Sequence, residues 1–166
     1  MTLGCLSYAL QLREICTEDL ILCKEAVWVD ARDVEPKVDM TYVQNVLVDL
    51  IKIESINPPK DGGEKKAAEF LAGKMRELGI DAEVHEVACG RANAVGIMSG
   101  NNTGPTLVLN GHLDVVGANP EDWDNPPFDP VIRNRRIYGR GAADMKSGIA
   151  SMIGAAKLIK EADIPL

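Results

Sequence analysis

The chain has 166 residues, of which 46% are hydrophobic and 26% charged, and this composition is typical of one soluble globular domain with a sizeable core. Aspartate and glutamate number 25 against 18 lysines and arginines, so the formal net charge is -7. Binding to a nucleic-acid backbone requires a basic face, and we therefore expect no nucleic-acid partner.

Membrane insertion and secretion are not expected either. No apolar run approaches the roughly 18 residues of a membrane span. No basic cluster follows Met1, and charged residues interrupt the apolar N-terminal segment, so it does not resemble a signal peptide. A cytoplasmic location follows by default. The four cysteines form no CxxC pair, which argues against a zinc knuckle, and we expect buried, reduced thiols: Cys5, Cys16, Cys23 and Cys89.

Residues 1–38 are an extension of unclear role. Spaced leucines favour a helix, and a polar, linker-like stretch follows over residues 30–36. The extension is either a partner-binding or regulatory arm, or an appendage unrelated to the chemistry. It offers carboxylates but no histidine, which favours the second interpretation.

From Asp39 onward, helical and extended patterns alternate, which predicts an α/β fold. Apolar residues at helical spacing predict a helix over residues 43–51, ended by Asn57-Pro58-Pro59. A second amphipathic helix over 67–78 has Gly79 at its end. Alternation of Ile80, Ala82 and Val84 predicts a strand, and residues 92–98 predict another.

The C-terminal part continues the alternation. Leu107, Val108 and Leu109 are consecutive apolar residues, which predicts a strand covered on both faces. A hairpin is expected between residues 131–132 and 137–138, with its tip at 133–136. Apolar residues from Ile149 to Ile159 then predict a last helix.

His112 and Asp114 follow the apolar strand and, two residues apart, point to the same side of it. An imidazole beside a carboxylate suits a metal ligand whose tautomer is held by that carboxylate. A purely structural His–Asp pair is the alternative.

Asp144 lies in a glycine-flanked turn between the hairpin and the last helix, where it could bridge two cations or simply cap the helix. Nucleotide-binding motifs do not fit this turn. The dinucleotide fingerprint requires glycine at the position of Asp144, and the P-loop requires glycines at the positions of Arg140 and Met145.

Two separated motifs, GHLDVV and WDNPPFDPVIRNRRIYGRGAADMKSG, occur together with ESINPP and RANAVG. In this combination residues 40–166 resemble the M20 family of zinc metallopeptidases, which includes acetylornithine deacetylases, succinyl-diaminopimelate desuccinylases, aminoacylases and glutamate carboxypeptidases. The resemblance implies that residues 39–166 are the N-terminal part of a zinc-exopeptidase-like catalytic domain. Its mixed central sheet would be flanked by helices.

The resemblance further implies a site for two zinc ions, which cobalt or manganese could replace. His112 would bind one metal, Asp144 would bridge both, and Asp114 would orient His112. A cis peptide bond would follow Asp144. The whole protein would hydrolyse amide bonds of N-acyl amino acids or small peptides, as a homodimer in some family members.

Two departures from the family pattern touch no ligand: the hairpin tip Asn134-Arg135 lacks a glycine, and Ser147 replaces another. The general-base glutamate and the remaining ligands of the family have no counterpart here, since Glu161 and Asp163 lie too early. We therefore expect little activity from this chain alone. The alternatives are a non-catalytic remnant or interaction module, and a related two-metal aminopeptidase.

The remaining candidates receive structural roles. His85 falls opposite the buried residues of its strand, so we expect it to face solvent. Trp123 and Phe128 are expected to pin the proline-rich loop to the domain. For Tyr138 and Arg140, packing and a structural salt bridge are favoured over substrate contact.

Overall fold

The computed structural model describes residues 38–58, 63–100, 104–162 and 166, all of which lie in one compact unit, Ala31–Leu166. The predicted extension therefore falls, apart from Val38, outside the described residues, as do Cys5, Cys16 and Cys23. The described chain contains both helices and strands, which confirms the α/β class: α1 Met40–Lys52, α2 Gly63–Glu77, β1 Asp81–Ala88, β2 Arg91–Ile97, β3 Val131–Arg133, β4 Arg136–Tyr138 and α3 Ser147–Glu161.

Helix α1 forms where the sequence predicts it. The Asp39 carboxylate accepts a hydrogen bond from the backbone N–H of Tyr42 at 2.9 Å and so caps the helix N-terminus. Its apolar stripe is buried: Val46, Leu47, Leu50 and Ile51. The helix ends at Lys52, because Ile53 adopts an extended conformation. The chain then leads directly towards the residues of the candidate site.

Helix α2 and the hairpin β1–β2 form one packed unit. The two strands are antiparallel, with Asp81 opposite Ile97, and one face of the pair packs against α2. Gly79, with φ of 70°, ends the helical segment in the left-handed region that glycine tolerates. Glu64 in the first turn of α2 pairs with Arg91 on β2, with an N–O distance of 3.1 Å. The predicted second helix and both strands are thus confirmed.

Helix α3 packs against α1 and completes the core. Ile149, Ala150 and Ile153 on its inner face are buried. Gly154 lies directly against the Val43 side chain, so the two helices approach closely at this point. The predicted last helix is confirmed.

The short hairpin β3–β4 also matches its prediction. Val131 pairs with Tyr138 and Arg133 with Arg136. The two tip residues, Asn134 and Arg135, have φ of 51° and 60°. This is the left-handed backbone of a tight two-residue turn, which forms here without the usual glycine.

The strand expected at Leu107–Leu109 is not formed, and the prediction that it is covered on both faces is wrong. These side chains are 82%, 76% and 57% exposed, and no strand is assigned between residues 104 and 114. No described strand pairs with them, so their backbone groups lack the ladder that defines a strand. The pairing described nearby is an isolated parallel bridge between Ile56 and Val115.

The strands therefore form two antiparallel pairs and not one continuous sheet within the described part of the chain.

Cys89, in the turn between β1 and β2, is exposed and not buried as expected, because a two-residue turn projects it away from the core. No helix within residues 38–58, 63–100 and 104–162 combines the length and apolarity needed to cross a bilayer.

Candidate metal centre

Residues 112–115 alternate in burial. Leu113 and Val115 are buried, whereas His112 is exposed and Asp114 half-buried on the other side. The loop after α1 holds this segment in place. The Val115 N–H donates to the Ser55 carbonyl at 2.8 Å, and the Ser55 hydroxyl donates to the Leu113 carbonyl at 2.6 Å. His112 and Asp114 are thus presented from an anchored backbone.

A second segment, the turn before α3, presents Asp144. Gly141 opens it with φ of 84°, and the Lys146 N–H donates to the Gly141 carbonyl five residues back. Asp144 is extended, with φ of -131° and ψ of 104°. The Asp144-Met145 peptide bond is cis, which confirms that expectation. Helix α3 begins at Ser147 with no side-chain capping hydrogen bond, so Asp144 does not act as its N-cap.

The two segments bring the three predicted site residues together. His112 Nε2 lies 3.0 Å from Asp144 Oδ1. His112 Nδ1 lies 3.0 Å from the backbone carbonyl oxygen of Asp114 and 3.2 Å from its Oδ1. The imidazole therefore stands between two aspartates, one on each ring nitrogen.

These contacts favour one position for the imidazole proton. A carbonyl oxygen can only accept, and Asp114 offers both its carbonyl and its Oδ1 to Nδ1, which favours a hydrogen on Nδ1. In the neutral ring, Nε2 then presents a lone pair to the Asp144 carboxylate, which is also an acceptor. Two acceptors 3.0 Å apart repel each other unless a cation lies between them. The site thus favours either a proton or a metal ion at Nε2.

The electrostatics of the ring follow from the same contacts. The hydrogen bond to Asp144 and, after it, the Asp114 carbonyl raise the pKa of His112 above its ordinary value of 6.5. In the absence of a metal, the proton is therefore held between His112 and Asp144. Their side chains are 47% and 87% exposed, which leaves the pair accessible to an ion from solvent.

The His112–Asp144 separation can be compared with that of two ligands on one zinc ion. Two ligands that each lie about 2.0–2.2 Å from one tetrahedral zinc are separated by roughly 3.3–3.6 Å. The Nε2–Oδ1 separation of 3.0 Å is shorter than this, so these exposed side chains would move slightly apart to admit a zinc ion. Among the described residues, no group of three or more histidine, cysteine, aspartate or glutamate side chains is arranged to hold a metal ion.

Two residues at the site escaped the sequence analysis. Asn57 Nδ2 donates to Asp114 Oδ2 at 2.9 Å. The Lys146 side chain is fully buried, and its Nζ donates to the carbonyls of Leu50 and Ile53, both at 2.8 Å. Burial lowers the pKa of Lys146 from 10.5 to about 8. The signal for Lys146 was its position, two residues after Asp144 in an otherwise small and apolar turn.

The other candidates have structural contacts. His85 is exposed as expected and lies 3.4 Å from Glu83. Trp123 stacks under the guanidinium of Arg140 at 5.0 Å, which ties the proline-rich loop to the turn before Asp144. Arg140 makes this stacking contact and a hydrogen bond to the Gly117 carbonyl, and within the described part of the chain it does not form the expected salt bridge. Tyr138 lies beneath Arg133 at 4.7 Å, and Phe128 is half-buried.

Residues 108–166 match the model of peptidase family M20/M25/M40. The chain belongs to the M20 peptidase family. Over 120 residues it is 38% identical to the N-formyl-4-amino-5-aminomethyl-2-methylpyrimidine deformylase of Bacillus subtilis, a match that covers 70% of this chain and 28% of the relative. Over 108 residues it is 39% identical to the succinyl-diaminopimelate desuccinylase of Marinobacter nauticus, with coverages of 64% and 27%.

Solved structures share the fold of this M20 chain. Human carnosine dipeptidase 1 superposes with a TM-score of 0.69 at 20% sequence identity, covering 80% of this chain and 31% of that one. The dipeptidase Dug1p of Saccharomyces cerevisiae superposes with a TM-score of 0.63 at 20% identity, with coverages of 80% and 30%. The chain thus spans less than a third of each of these relatives.

Proposed function

We propose that this M20 chain forms part of a two-zinc hydrolase that cleaves amide bonds in N-acyl amino acids or small peptides. In this proposal His112 binds one zinc ion, Asp144 bridges both, and Asp114 orients His112. The observation that carries the proposal is the 3.0 Å approach of His112 Nε2 to Asp144 Oδ1, with Nδ1 held from behind by Asp114. The deformylase, desuccinylase and dipeptidase names of its relatives support the type of bond.

Each residue has a defined part. Asp114 holds the proton on His112 Nδ1, so the Nε2 lone pair would be available to bind a cation. Asp144 supplies negative charge next to Nε2 from an exposed position and has a second carboxylate oxygen for a second ion. Bound zinc supplies a Lewis acid that polarises an amide carbonyl and makes water more acidic. Cobalt or manganese is an acceptable substitute for this donor set.

Zinc titration of the purified chain tests the ligand assignment. We expect a weak site whose affinity falls at least about tenfold in His112→Ala and in Asp144→Ala, because each removes one of two protein ligands. Isothermal titration calorimetry, or the visible spectrum of the cobalt form, measures the change. His85→Ala is the matched control, since His85 is exposed on β1 and contacts Glu83. Equal zinc affinity in all four proteins would refute the assignment.

The chain by itself is expected to be inactive. A catalytic zinc takes about three protein ligands and an open position, whereas the described residues bring together only His112 and Asp144 as ligands. Release of free amine from N-acetyl and N-succinyl amino acids, followed with added zinc, measures this. Zinc-dependent turnover that disappears in His112→Ala would contradict the expectation.

A non-catalytic interaction module is the second candidate. The observation that favours it is the exposed apolar run Leu107–Leu109 close to the site. That candidate gains support if the zinc titration shows no binding by the wild-type chain.

A further inference from the structure

We propose that Asn57 and Lys146 are positioning residues, which close a ring of hydrogen bonds around the His112–Asp144 pair and so set its geometry. Only the test of this proposal by zinc affinity rests on the proposed function, because the ring itself consists of contacts within the protein.

One half of the ring runs through Asn57. Its side-chain amide donates to Asp114 Oδ2 at 2.9 Å, while Asp114 Oδ1 lies 3.2 Å from His112 Nδ1. The two oxygens of one carboxylate are thus held from opposite sides, and rotation of the Asp114 carboxylate would break one contact. The backbone N–H of Asn57 donates to the Val115 carbonyl at 2.9 Å, so the amide itself is fixed relative to Asp114.

The other half runs through Lys146. Its ammonium donates to the Leu50 and Ile53 carbonyls, both at 2.8 Å, at the C-terminal end of α1. Each of these carbonyls also accepts one backbone N–H, from Ile53 and Ser55 respectively, and has a second lone pair for the ammonium. A cation at this end of the helix is favoured by the helix dipole. The Lys146 backbone follows Asp144 by two residues, so this buried contact ties the Asp144 turn to α1.

The loop from Ile53 to Asn57 joins the two halves. From Lys146 the ring runs through the end of α1 and this loop to Asn57. From Asn57 it continues through the side chains of Asp114 and His112 to Asp144. The backbone from Asp144 to Lys146 closes it. The non-covalent steps are hydrogen bonds of 2.8–3.0 Å, apart from the contact of 3.2 Å between His112 Nδ1 and Asp114 Oδ1. The side chain of Asn57 bonds to Asp114 and that of Lys146 to carbonyls of Leu50 and Ile53, so both act on the His112–Asp144 pair through other residues.

The decisive experiment is a double-mutant cycle read by zinc affinity in the 166-residue chain. Partners that orient metal ligands change affinity by about 10–100-fold, and we expect losses of about tenfold in Asn57→Ala and in Lys146→Met. If both act through one ring, the double variant loses little more than the worse single variant. Losses that multiply to about a hundredfold would overturn the ring as a unit.

Two controls separate positioning from general destabilisation. Lys157→Met removes a lysine on α3 that contacts Asp39 and Glu161 outside the ring, and it should leave zinc affinity unchanged. Leu71→Ala creates a cavity under α2 without touching the ring. If Leu71→Ala lowers zinc affinity as much as the ring variants do, the proposal is wrong.

A readout without metal distinguishes failure of this inference from failure of the proposed function. Long-range ¹H–¹⁵N spectra report the His112 tautomer under conditions where the ring is neutral. Asp114 offers two acceptors to Nδ1, its carbonyl at 3.0 Å and its Oδ1 at 3.2 Å, and Asn57 orients only the carboxylate. We expect the Nδ1–H form in the wild type and a larger share of the Nε2–H form in Asn57→Ala. Asn57 is exposed, so we expect this variant to fold even if Lys146→Met does not. An unchanged Nδ1–H tautomer in Asn57→Ala refutes the positioning role, whether or not zinc binds.

Discussion

Replacing Gly63 with alanine is expected to destabilise the protein by about 3 kcal/mol or more, although alanine is the better helix former. Gly63 is the first residue of α2 and is buried. A methyl group there would overlap the main-chain carbonyl of Glu54 and approach Ser55 Cα at 3.2 Å. Because both obstacles are backbone, no side-chain rotation can relieve the overlap. The shift would reach the loop that holds Leu113 and Val115.

Gly73→Ala is the matched control for this prediction. Gly73 lies in the same helix, and nothing lies within 4 Å of the position of an added Cβ. Here the helix propensity of alanine acts alone, so we expect a gain of up to about 1 kcal/mol. Urea unfolding followed by circular dichroism measures both variants. If Gly63→Ala is as stable as Gly73→Ala, the close approach of α2 to the Glu54–Ser55 backbone is wrong.

Gly141→Ala is expected to cost roughly 2–5 kcal/mol, through two separate effects. The φ of 84° places residue 141 in the left-handed region, where a Cβ costs about 1–2 kcal/mol. In addition, the new methyl group would lie 2.8 Å from Val115 Cγ1 and 3.1 Å from Lys146 Cδ. Overpacking of this kind adds about 1–3 kcal/mol. The crowded groups belong to the two segments that carry the site.

Gly79→Ala separates the two effects, because Gly79 has a similar φ of 70° but nothing within 4 Å of its added Cβ. We expect only the conformational cost of about 1–2 kcal/mol there. The difference between the two variants, measured by urea unfolding, is the packing contribution at Gly141. Zinc affinity should fall in Gly141→Ala and stay unchanged in Gly79→Ala. Equal losses of stability in both variants would remove the case for tight packing around the Asp144 turn.

Local pattern was sufficient for most of the secondary structure. The apolar stripe of α1, its Asp39 cap and the proline pair after it are all encoded within about 20 neighbouring residues. The alternating burial around Ala82 followed from a period of two along one strand. In the same way, the two-residue spacing placed His112 and Asp114 on one side of the chain.

The error at Leu107–Leu109 has the same origin as these successes. A run of consecutive apolar residues indicates that a segment is more stable when it is buried between two layers. The apolar run does not indicate whether a neighbouring strand or a covering helix is present to bury the segment. In the described part of the chain no strand lies beside these residues, so the preference is not met.

The sequence by itself determined the helices, the hairpins, the M20 motifs and the identity of the candidate ligands, since all of these are properties of residues close together along the chain. Only the tertiary structure decided that His112 Nε2 contacts Asp144 Oδ1. It also decided that Asn57 bonds to Asp114 and that Lys146 bonds to the end of α1. The Leu50 carbonyl and the Lys146 ammonium are 96 positions apart in sequence. Their contact arises from the packing of α1 against α3 and the turn before it, because that packing buries the ammonium beside the last carbonyls of α1.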